Sequence, residues 1–90
     1  MHAESNTLVD VKRAVSKARD YLAEMLQIPP ERLLLEEVEL SEDDKFWLVT
    51  LSFPPPAGSS FAVALGGRVY KVVKIDAVTG EFESIKIRQV

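Results

Sequence analysis

Six carboxylates fall in one short run of this chain: Glu36, Glu37, Glu39, Glu42, Asp43 and Asp44. Neighbouring carboxylates can pass a proton or hold a divalent ion, so this run is the first place to look for chemistry. Its spacing is not that of a calcium loop, where oxygen ligands alternate and a glycine makes the central turn. The run reads as a solvated strand face followed by a charged turn, with weak divalent-ion binding as the alternative. The single histidine, His2, sits in a polar stretch that offers no ordered shell. Gly58-Ser59-Ser60 lies among prolines and lacks the strand-to-helix setting of a nucleophile elbow. There is no cysteine, which removes disulfides, thiolate nucleophiles and cysteine metal sites. The expectation is a non-enzyme with no catalytic residue, no metal site and no cofactor.

The stretch KIDAVTGEF, residues 74–82, also invites a functional reading. Turn chemistry accounts for each of its residues. An aspartate at the start of a turn accepts amides two and three residues on, and a glycine supplies the positive φ that closes a hairpin. Asp76, Thr79 and Gly80 are therefore expected to build a structural turn. A Gly66-Gly67-Arg68 anion nest gives way in the same manner to a flexible corner. Pro54-Pro55-Pro56 reads as a stiff connector rather than a recognised ligand.

The elements that position these groups follow from periodicity. Residues 1–6 form a polar tail expected to be disordered, and residues 7–90 a single domain. Thr7 and Asp10 fit a capping box. Leu8, Val11, Val15, Ala18, Leu22 and Met25 then recur at helical spacing, which predicts an amphipathic helix from about residue 8 to residue 27, stopped by Pro29-Pro30. After the prolines the period becomes two. Residues 33–40 predict a strand with Leu34, Val38 and Leu40 on one side, and residues 41–45 a polar turn. Residues 46–53 predict a strand with Trp47, Val49, Leu51 and Phe53 on one face. Residues 54–60 predict a loop. Residues 61–65 are a further apolar segment, and residues 68–76 and 81–88 are two more strands. Short connections favour antiparallel neighbours. The fold class expected is α+β, one N-terminal helix packed on one face of a three- to four-stranded antiparallel sheet.

Tyr70, Val72, Val73 and Ile75, followed by Asp76, Ala77, Thr79, Gly80, Glu81 and Phe82, resemble the strand and turn of the PepSY domain. The helix, the Pro-Pro-Glu-Arg break and the Trp-containing strand are arranged as in that family, so the resemblance spans roughly residues 8–88. It implies a cystatin-like helix-on-sheet shape. It also implies an inhibitory or regulatory binding role of the kind associated with peptidase propeptides and cell-envelope proteins.

A lone helix covers only one face of a sheet. With Trp47, Val49 and Leu51 turned toward it, Phe46 and Leu48 point away, and with Val73 and Ile75 inside, Tyr70 and Val72 point out. These four residues are the expected partner-binding patch. The alternative is a lid made by residues 54–67, with Phe61, Val63 and Leu65 over that face. Two occupants follow: another protein, or a second copy of the chain as a homodimer through the sheet face or an edge. The net charge of −3 disfavours nucleic acid. No run of residues is long and apolar enough to predict a membrane span. MHAESNTLVD lacks the pattern of a signal peptide, so the chain as written points to the cytoplasm, or to export if a leader has been removed.

Overall fold

The computed structural model of the protein describes residues 8–55 and 67–87. Asp10 starts the helix. Its backbone is still extended, and its Oδ1 accepts the Arg13 N–H at 2.9 Å, satisfying one of the amides that a first turn leaves open. Helix α1 therefore runs Val11–Leu26 rather than from residue 8, and Leu8 precedes it. Thr7, the other half of the expected capping box, lies outside the described residues. At the far end Gln27 turns left-handed, with φ 57° and ψ 46°, and the amides of Gln27 and Ile28 both donate to the Ala23 carbonyl. Pro29 and Pro30 then prevent continuation, and Pro30–Arg32 makes a single 3-10 turn.

Four strands follow: β1 Leu34–Leu40, β2 Phe46–Phe53, β3 Val69–Asp76 and β4 Phe82–Ile87. They form one sheet in the order β1-β2-β3-β4, each antiparallel to its neighbour. This is the α+β arrangement anticipated from the alternation of apolar residues. Residues 56–66, which include the anticipated lid residues Phe61, Val63 and Leu65, lie outside the described residues.

One strand assignment is corrected. The register of β1 against β2 shifts between Leu35 and Glu37, so a bulge at Glu36 interrupts the alternation. Leu34 pairs with Ser52 and faces away from the helix, while Leu35, Val38 and Leu40 pair with Leu51, Val49 and Trp47 on the helix side. Strict period-two counting places Leu34 with Val38 because it cannot see the inserted residue.

The β1–β2 turn explains part of the acidic run. The Ser41 amide donates to the Phe46 carbonyl, and the Asp43 carboxylate accepts from the Ser41 hydroxyl at 2.6 Å and the Lys45 amide at 3.1 Å. Asp44 closes the turn at φ 60°. These aspartates are short acceptors folded onto their own backbone, which is what turns demand of them.

The core lies between α1 and the sheet. Ala14, Ala18 and Leu22, four residues apart, are fully buried, as are Val49, Leu51, Val73 and Ile75. The two alanines bring the helix backbone close to the sheet, and Leu22 fills the space below them. Val11 and Met25, at the ends of the anticipated stripe, remain exposed. Tyr21 reaches β4, where its ring lies 5.0 Å from that of Phe82 in a tilted pair.

Trp47 sits at the edge of this core, half-buried, and its indole Nε1–H donates to the Val9 carbonyl at 2.8 Å. The Val9 amide donates to the Ala77 carbonyl, and the Ala77 amide to the Lys45 carbonyl. Ala77 is fully buried between them. The segment entering the helix is thus tied to both sheet turns at this end.

Candidate binding face

The β3–β4 turn is held by Asp76. Its Oδ1 accepts the amides of Val78 and Thr79, both at 2.8 Å, while Gly80, at φ 78°, donates back to the Asp76 carbonyl. Thr79 Oγ1 accepts the Glu81 amide. The Thr79 and Val78 amides favour the ionised carboxylate and hold Asp76 below the usual aspartate range; the Ser41 hydroxyl and the Lys45 amide do the same for Asp43.

A carboxyl whose folded pKa is depressed contributes stability above its ordinary value and loses that contribution as pH falls through the folded one. Resistance to urea should therefore be steady near neutrality and fall as pH drops below about 4. In Asp76→Asn the gap from the parent chain should narrow across that same window, and a gap that widens on acidification would contradict the assignment.

On the side of the sheet away from α1, register arranges the outward residues in rows. Leu34, Ser52 and Tyr70 form one row. Glu37, Thr50, Val72 and Lys86 form the next, and Glu39, Leu48, Lys74 and Ser84 the third. Phe46 and Asp76 follow. Phe46, Leu48, Tyr70 and Val72 thus occupy the two central strands of one face, and all four are half-buried rather than fully exposed. The Lys74 ammonium sits 4.2 Å from the centre of the Phe46 ring, a cation–π contact that shields part of that ring.

The centre of this face is not wholly apolar. Ser52 is fully buried, donates to Glu36 Oε2 at 2.6 Å and accepts from Arg68 Nε at 2.9 Å. A relay from β1 through β2 to the residue before β3 thereby fixes one end of the face. The sequence singles out Glu36 and Arg68 separately but not Ser52, which joins them, because a serine at an outward strand position carries no sign that its neighbours will enclose it.

His2, Ser59 and Ser60 lie outside the described residues. Among the described residues no group of three or more metal-ligating side chains stands together. Nor is any helix among them long and apolar enough to cross a membrane.

By architecture the protein is an α+β domain, one helix laid on a four-stranded antiparallel meander. Comparison with known proteins adds no name to that class: no family model, no curated protein and no solved structure matches the chain.

Proposed function

We propose that the protein is a small non-catalytic binding module whose docking surface is the sheet face opposite α1. The observation that supports this reading is the placement of Phe46, Leu48, Tyr70 and Val72 on the face that α1 does not cover, each keeping part of its surface accessible. Apolar groups grouped on an exposed face and rimmed by charge are how docking surfaces are built. The resemblance to PepSY domains agrees with a regulatory or inhibitor-like role directed at another protein.

Leu48→Ser and Tyr70→Ser test this reading. Each should weaken capture of partner proteins from the source organism by the full-length bait, while the melting temperature moves little, since neither residue belongs to the buried core. Unchanged capture by both variants would count against the face. Collapse of both folds would make these residues structural instead.

A further inference from the structure

Helix α1 leaves one corner of its own side of the sheet open. Val69, Lys71, Val73 and Ile75 pair with Phe53, Leu51, Val49 and Trp47, so all four stand on the helix side of β3. Val73 and Ile75 are fully buried, whereas Val69 and Lys71 are only half-buried. The helix ends at Leu26, and Pro29-Pro30 carries the chain on into the 3-10 turn. What remains is a pocket of about 530 Å³, a size that suits a small molecule.

The walls of this pocket are mostly hydrocarbon. Leu26 and Ile28 line it from the end of the helix, and Phe53 and Val69 from the sheet. Its charge is of one sign. Arg32 from the 3-10 turn and Lys71 from β3 both line it, and no aspartate or glutamate does, in a chain whose net charge is −3. Lys71 departs from the pattern of its strand, since every other helix-side residue of β2 and β3 is apolar. Among the described residues neither the Arg32 nor the Lys71 side chain has a hydrogen-bond or ion-pair partner. The carbonyls of Ala23 and Glu24 already accept donors from Gln27 and Ile28, which blunts the negative end of the helix beside the pocket. An ionised carboxylate placed here would give both cations the partner they lack, in bonds stronger than neutral ones.

We propose that this pocket binds a small aliphatic carboxylic acid in its ionised form. The hydrocarbon lies against Leu26, Ile28, Phe53 and Val69, and the carboxylate is held by Lys71 and Arg32. The site is on the helix side of the sheet, opposite the docking face, and does not rest on the reading of that face. Charge selects the ligand. An alcohol of the same length gains the apolar contacts alone, and an alkylammonium meets two like charges.

Octanoate, octanol and octyltrimethylammonium, each below its micelle concentration, test the proposal when titrated into the isotopically labelled full chain and followed through its amide chemical shifts. Saturable shifts with octanoate are expected, centred on Gln27, Ile28, Val69 and Lys71, with a dissociation constant of about 0.1–1 mM for so small a ligand. Octanol and octyltrimethylammonium should bind at least about fivefold more weakly. Lys71→Met and Arg32→Gln should each weaken octanoate about fivefold and leave octanol no weaker, and Lys71→Arg should retain octanoate binding. Arg32 is exposed, so Arg32→Gln keeps the fold and carries the test if Lys71→Met does not. The absence of saturable shifts overturns the proposal, as do shifts centred on the outer face around Leu48 and Tyr70. Octanol or octyltrimethylammonium binding as tightly as octanoate overturns it too, and so does octanoate binding indifferent to both neutralisations. None of these results touches the capture test with Leu48→Ser, which judges the docking face separately.

Discussion

Leu22→Ala should lower the stability of this protein by about 3 kcal/mol, the largest effect expected from a single conservative truncation. Leu22 is fully buried in the core cluster that also holds Leu51, Val73 and Ile75. Removing its branched end forfeits the transfer free energy of the lost methyl groups and leaves a cavity that the surroundings fill only in part. The sheet beneath is hydrogen-bonded strand to strand and cannot easily move up. Ala14 and Ala18 already hold the helix close, so further approach is limited from that side too. For a domain of this size the melting temperature should fall by more than about 10 °C. A cost under about 1 kcal/mol would mean that the helix does not rest on the sheet through this residue.

The second large effect is expected at Trp47. Trp47→Ala removes the biggest side chain packed against the rim of the core and the donor to the Val9 carbonyl, for a combined cost of about 2–3 kcal/mol. Trp47→Phe keeps most of the apolar surface and loses the donor, so it should cost about 1 kcal/mol. The graded pair separates packing from hydrogen bonding. Circular dichroism is the readout, because Trp47 is the only tryptophan and its fluorescence disappears with it. Equal and small effects of the two variants would show that the indole packs loosely and that the bond to Val9 contributes little.

The elements were legible to the extent that they are written in local spacing. The apolar steps through Val15, Ala18 and Leu22 announce the helix, and Pro29-Pro30 announces its stop. The alternation through Trp47, Val49, Leu51 and Phe53 places one face of β2 correctly. The turn chemistry of Asp76, Thr79 and Gly80 could be read residue by residue, because the partners of the Asp76 carboxylate and of the Gly80 amide lie within four positions. What failed depends on contacts between distant segments or on an inserted residue. The bulge at Glu36 reverses the side on which Leu34 stands, and nothing in LLEEVEL marks which residue is the extra one. Asp10, expected inside the first turn, is itself the cap of a helix that starts at Val11. The Glu36–Ser52–Arg68 relay brings together residues remote in sequence, and only the strand register reveals it. The partial burial of Phe46, Leu48, Tyr70 and Val72 was hidden for the same reason: alternation shows which way a side chain points, but not what stands beside it.

Ala77 engages both sides of its peptide backbone with remote chain, giving its N–H to Lys45 and receiving that of Val9. Such closures can form only after both hairpins have already been drawn together, so they belong to the late events of folding. Amides just outside a helix ordinarily trade protons with water through small local fluctuations. That of Val9 is bonded to a fully buried residue of the opposite layer, and its exchange for deuterium should be slower than that of an amide bonded only to water.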